Sequence, residues 1–109
     1  MEGVISGKTR TYEDFKKQIP SSVQQLFDDL RNYCLSLGKN VLEDVRMHRI
    51  VFSKSLTFRY FADIEPQRDS LAIKIRRDRK EPEKIMQVKP SDNLEEIKNL
   101  LADAYTNIH

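Results

Sequence analysis

The sequence predicts an α+β fold: a two-layer sandwich in which an antiparallel sheet of four to five strands carries an N-terminal and a C-terminal helix on one face. Three observations lead there. Two segments, one after Pro20 and one after Pro90, repeat apolar residues at helical spacing. The chain between them reads as short extended segments joined by short turns, and strands so joined pair antiparallel. The clearest of these segments, Leu56 to Arg76, is a β-hairpin by pattern: Phe58, Tyr60, Ala62 and Ile64 alternate with Thr57, Arg59, Phe61 and Asp63, and Leu71, Ile73 and Ile75 alternate with Ala72, Lys74 and Arg76. Glu65 to Ser70 supplies its turn chemistry.

In chain order, residues 1–10 are polar, contain Gly3 and Gly7, and read as a flexible tail before a single α+β domain over 11–109. Thr11, with Asp14 in the first turn, starts a short helix from Tyr12 to about Gln18 that Pro20 breaks; Phe15 and Ile19 are its apolar anchors. Ser21 or Ser22 then caps a longer helix, with Gln24 or Gln25 three residues on. Val23, Leu26, Phe27, Leu30, Tyr33, Cys34 and Leu37 form its apolar face, and Gly38 stands where a left-handed C-cap is wanted.

Val41 to Phe52 changes parity around His48 and Arg49, which implies two short strands or one strand with a bulge. After the central hairpin comes a charged loop, Arg76 to Glu83. Lys84 to Lys89 forms a short edge strand whose flanking lysines discourage unwanted strand pairing. Asp92 is the expected N-cap of the last helix, with Glu95 at the capping-box position. Leu94, Ile97, Leu100, Leu101, Ala104, Tyr105 and Ile108 form its apolar face.

A chain of 109 residues can bury one core without a metal or disulfide. Its lone cysteine, Cys34, lies on a buried helix face, fits a reducing compartment and has no neighbour that would activate it. The N-terminus lacks the apolar stretch of a signal peptide, and no apolar run approaches a bilayer span. A cytoplasmic protein without membrane association is expected.

Charge is segregated. Residues 46–89 hold twelve Lys or Arg against six Asp or Glu, whereas residues 90–109 hold one against four. A basic sheet with an acidic helix behind it is one form of an anion-binding surface. The plainer alternative is that the acidic helix faces water and the basic side chains pair with nearby carboxylates.

Enzymatic chemistry has little to stand on. The histidines, His48 and His109, have no evident Cys or Ser partner, no metal-ligand spacing such as HxH, CxxC or HExxH occurs, and there is no Gly-rich phosphate loop. Asp63 and Glu65 precede Lys74 as in some magnesium-dependent nucleases, but the triplet ending at Lys74 is Ala72-Ile73-Lys74, which lacks the second acid. The expectation is a non-catalytic accessory domain with no cofactor and no metal. Arg59, Lys74, Arg76, Arg77, Arg79 and Lys80 would bind DNA or RNA through a basic sheet face, with Tyr60 or Phe61 stacking on bases. The alternative is a protein-interaction or dimerisation module that uses the open face or the edge strand at Lys84–Lys89, with a protein partner or a second copy.

Three stretches carry a family resemblance: LFDDLRNYCLSLGKNVLED (Leu26 to Asp44), FADIEPQRDSLAIKI (Phe61 to Ile75) and NLEEIKNLLADAY (Asn93 to Tyr105). Together they resemble an uncharacterised bacterial and archaeal domain family whose members are often labelled "predicted transport protein" and occur alone or beside restriction-endonuclease-like domains. The resemblance implies no catalytic residues. By association with such neighbours it implies a nucleic-acid context. The family usually has a longer connection between the fourth and fifth strands than RRDRKEPE here.

Overall fold

The computed structural model describes residues 11–54, 59–78 and 80–108. The expected tail at 1–10, the start of the hairpin at Leu56 to Phe58, Arg79 and His109 lie outside the described residues. Helix α1 (Tyr12–Lys16) and helix α2 (Ser21–Ser36) precede five strands: β1 (Val41–Val45), β2 (Ile50–Lys54), β3 (Arg59–Pro66), β4 (Leu71–Ile75) and β5 (Lys84–Val88). Helix α3 (Glu95–Asn107) closes the chain. The sheet is an antiparallel meander in the order β1-β2-β3-β4-β5, so each strand pairs with its neighbour in sequence. No helix among the described residues is long and apolar enough to cross a membrane.

The pairing register assigns each residue to a face, because Cα partners in an antiparallel sheet point the same way. Leu71, Ile73 and Ile75 of β4 oppose Pro66, Ile64 and Ala62 of β3, and Ile64 and Ala62 oppose Ile50 and Phe52 of β2. This is the apolar face. It forms one core with Tyr12 and Phe15 of α1, with Val23, Leu26, Phe27, Leu30 and Cys34 of α2, and with Ile97, Leu101 and Ala104 of α3. The helices thus share one side of the sheet, as the sequence predicts. Burial of each large side chain contributes about 1.5–3 kcal/mol before conformational entropy is counted. The parity change near His48 resolves as two strands, and the exposed His48 sits in the turn between them.

Strict alternation fails at one point in β3. Phe52 opposes Ala62 and Ser53 opposes Tyr60, which leaves Phe61 without a partner of its own. This β-bulge brings Phe61 and Ala62 together into the core, both fully buried. The Phe61 ring meets the Tyr105 ring of α3 edge-on, with centroids 5.4 Å apart. The bulge also reverses Arg59. That residue opposes Lys54, whose Nζ donates to the Ile108 carbonyl and lies 4.7 Å from the Tyr105 ring centroid. Arg59 therefore belongs to the helix side of the sheet, not to the open face where unbroken alternation puts it.

The helix ends also depart from the simple capping rules. Thr11 caps α1 as expected, its Oγ1 accepting from the Asp14 N–H at 3.1 Å. Pro20, rather than Ser21 or Ser22, occupies the N-cap of α2; the Ser22 hydroxyl instead donates to the Arg68 carbonyl at 2.8 Å, tying α2 to the β3–β4 turn. Asp92 caps the turn after β5, accepting from the Lys89 N–H at 2.8 Å, and α3 starts later, with Leu94 at its N-cap and no capping box. Gly38 does not take a left-handed backbone conformation. The glycine leaves room for Tyr105: a Cβ would overlap its hydroxyl and lie 2.8 Å from its Cζ, so the ring would have to shift.

The bulge predicts an unusual ranking of neighbouring substitutions. Phe61→Ala should cost about 3–5 kcal/mol in urea unfolding, whereas Tyr60→Ala should cost about 1 kcal/mol or less. Unbroken alternation along β3 demands the opposite order.

Candidate functional site

No described helix covers the second face of the sheet. One row across it runs Asp44, Val51, Asp63, Lys74 and Ile85, one residue from each strand. Beside this row, Leu42 opposes Ser53 and Ser53 opposes Tyr60; on the other side Glu65 opposes Ala72 and Ala72 opposes Gln87. Arg76 extends β4 on the same parity as Lys74, and its guanidinium lies 5.4 Å from the centroid of the Tyr60 ring. Arg and Tyr so placed attract through the ring quadrupole.

Arg49 organises the acidic part of this face. Its two terminal nitrogens reach Asp63 Oδ2 at 3.3 Å and Glu65 Oε1 at 3.4 Å. Asp63 is buried, so its carboxylate needs such a partner. Sequence reasoning missed Arg49. Its signal was parity alone: it precedes Ile50 and shares the face of Val51. With both acids taken by Arg49, Lys74 stands opposite Asp63 at the Cα level but makes no ion pair among the described residues.

The six basic residues singled out by sequence do not form one patch. Lys74 and Arg76 share the open face, both half-buried, and Lys80 is exposed in the adjoining loop. Arg59 lies on the helix side, and Arg79 is outside the described residues. Arg77 turns toward α3, where its Nε is 2.6 Å from Asp103 Oδ2 and its Nη1 is 3.3 Å from Glu81 Oε2. The hydrogen bond with Asp103 raises the pKa of Arg77. The acidic last helix is therefore partly matched by the basic loop in front of it.

A second charged cluster sits behind the sheet and has a structural role. The Tyr12 hydroxyl donates to Asp28 Oδ1, and Lys16 Nζ is 2.8 Å from Asp28 Oδ2. Arg31 lies 3.9 Å from the centroid of the Tyr12 ring and forks onto Glu43 of β1 at 2.5 and 3.0 Å. These contacts join α1, α2 and β1. Burial and the Asp28 hydrogen bond raise the Tyr12 phenol above its usual range. Burial disfavours the charged form of Asp28, but hydrogen bonds from Lys16 and Tyr12 outweigh it and hold the carboxyl below its ordinary value. Cys34 is fully buried, and burial pushes its thiol up to about 12, so it is poorly suited to act as a nucleophile.

For the nuclease-like reading, the hairpin register does set Asp63 against Lys74. Ala72 occupies the position where a second acid is needed, and Arg49 holds Asp63 and Glu65. Among the described residues no three His, Cys, Asp or Glu side chains cluster as metal ligands. Comparison with protein-family models, with curated proteins and with solved structures finds no match. The reading of function therefore rests on the chain's own residues.

The Asp28 cluster predicts an acid-sensitive contribution to stability. A carboxyl whose folded pKa is lowered stabilises the fold above its unfolded value of about 3.9, and that contribution fades as pH falls through the folded value. Asp28→Asn should therefore be clearly less stable than the parent at about pH 7, and the gap should narrow by about pH 3. Urea unfolding at the two pH values checks this.

Proposed function

We propose that this chain is a non-catalytic binding module whose helix-free sheet face takes nucleic acid, single-stranded in preference to duplex. One observation carries the reading: Lys74, Arg76 and Tyr60 lie together on a face that no described helix covers, while Arg49 bridges the two acids beside them and offsets part of their charge. A cation row beside an aromatic ring suits a strand that offers phosphates and unstacked bases. A duplex offers phosphates without an accessible base face, so it would use only the charge. Lys80 in the adjoining loop extends the path for the backbone. Arg77 is engaged with Asp103 and contributes to holding the loop against α3 rather than to the face.

The test is titration of the isotope-labelled protein with short single-stranded DNA, duplex DNA and RNA at about 50 and 200 mM salt, followed by NMR. Shifts should map to Tyr60, Lys74 and Arg76, and they should weaken at the higher salt. Changing Lys74, Arg76 and Lys80 together to Gln should lower affinity at least about tenfold and reduce the salt slope by about one for each phosphate no longer neutralised. Absence of shifts with every nucleic acid at low salt would refute the reading. Changing Arg59 to Gln should leave binding nearly unchanged, because the bulge puts it on the other side of the sheet.

A further inference from the structure

Strand β5 is one of the two edges of the sheet. An edge strand presents unpaired backbone N–H and C=O groups and will pair with any chain its side chains allow. We propose that β5 pairs antiparallel with β5 of a second copy of this chain, about a twofold axis at Met86, to give a continuous ten-stranded sheet. This goes beyond the nucleic-acid reading and does not depend on it.

The strand is complementary to itself. With Met86 facing the second copy's Met86, Ile85 faces Gln87, Lys84 faces Val88 and Glu83 faces Lys89. Pro82 and Pro90 then meet at both ends and limit the pairing to this stretch, because proline cannot donate to a ladder. Glu83 and Lys89 are exposed and make no ion pair among the described residues. The symmetric register gives each one opposite charge, and the pair forms twice, once at each end. Sliding the axis to Ile85 sets Lys84 against Met86 and Glu83 against Gln87, and neither charge pair can form.

The helix side of the edge agrees. Lys84, Met86 and Val88 share the face of Ile75, Ile73 and Leu71. Beside them, between β5 and the start of α3, lies a shallow cleft of about 270 Å³ lined by Met86, Val88 and Ile97 and by Asp92, Asn93 and Glu96. In the proposed register the second copy's Met86 lies next to the apolar part of this cleft. Its Lys84, opposite Val88, lies next to the Asp92 and Glu96 carboxylates. The lysines that would repel most strands are thus met by acids of the second copy. On the helix-free face, Ile85 is 64% exposed and would pack against the second copy's Gln87. The other edge lacks this property: a symmetric β1 pair centred on Glu43 sets Glu43 against Glu43 and Leu42 against Asp44.

A strand pair with one small cleft buries less than a standard stable interface, so association should be concentration-dependent. Sedimentation of the whole chain without nucleic acid, from about 10 µM to about 1 mM, should show a shift from the 12.8 kDa monomer toward twice that mass. Lys89→Glu or Glu83→Lys alone should weaken the dimer about tenfold, since like charges then face each other at both ends. The double exchange Glu83→Lys with Lys89→Glu should restore it. Both positions are exposed, and an unchanged circular dichroism spectrum will show that the fold is kept. A monomer at every concentration overturns the proposal, as does a dimer that ignores these exchanges. Because no nucleic acid is present, either result leaves the sheet-face reading to its own test.

Discussion

The register break between Phe52 and Ser53 is the constraint on which the rest of this structure depends. It inserts one residue into β3 and so places two successive side chains, Phe61 and Ala62, against the helices. Phe61 gives Tyr105 of α3 an aromatic edge to pack on, and Tyr105 in turn lies against the bare backbone of Gly38 beyond the end of α2. One extra residue in a strand thereby sets how both long helices meet the sheet. Bulges also increase local twist, which helps a five-stranded meander wrap its apolar face around a helix layer.

The same break divides the cations of β3 and β4. Arg59 goes to the helix side beside Lys54. Tyr60 goes to the open face, where Arg76 lies over it. Without the bulge, Arg59, Lys74 and Arg76 would share one surface and Tyr60 would be core. The open face is accordingly less basic and more aromatic than composition suggests. Its acids are not idle either, since Arg49 spans Asp63 and Glu65 and holds the turn between β1 and β2 against β3.

Electrostatic work in this chain is divided by location. Behind the sheet, the Tyr12, Lys16, Asp28, Arg31 and Glu43 cluster links three elements, and its partial burial makes the hydrogen bonds worth more than surface pairs of the same length. At the loop after β4, the exposed pair of Arg77 with Asp103 joins loop to helix but is well screened by water. Of the six basic residues that the sequence singles out, Lys74 and Arg76 with its Tyr60 partner are the described ones placed on the helix-free face, and Lys80 is exposed in the loop that follows β4. That separation is why a count of Lys and Arg does not by itself give the charge of the helix-free face.

By itself the sequence determined the element order, the α+β class and the antiparallel connectivity. Helical spacing from Val23 to Leu37 and from Leu94 to Ile108 depends only on each helix hiding one stripe, and short turns leave successive strands no other way to pair. It also read Lys84 to Lys89 as a short edge strand, and β5 is an edge of the sheet. What only the tertiary structure decided were the quantities set by long-range pairing. Nothing local in Arg59-Tyr60-Phe61-Ala62 marks a bulge, because the extra residue is defined by Phe52 and Ser53 on another strand. Whether Ser22 caps a helix or ties it to a turn depended on where Arg68 came to rest, and the space beside Gly38 is filled by a ring sixty-seven residues away. Side-chain periodicity reports which face is buried, but it carries no record of the partner strand, and that partner decides which charges share the open side.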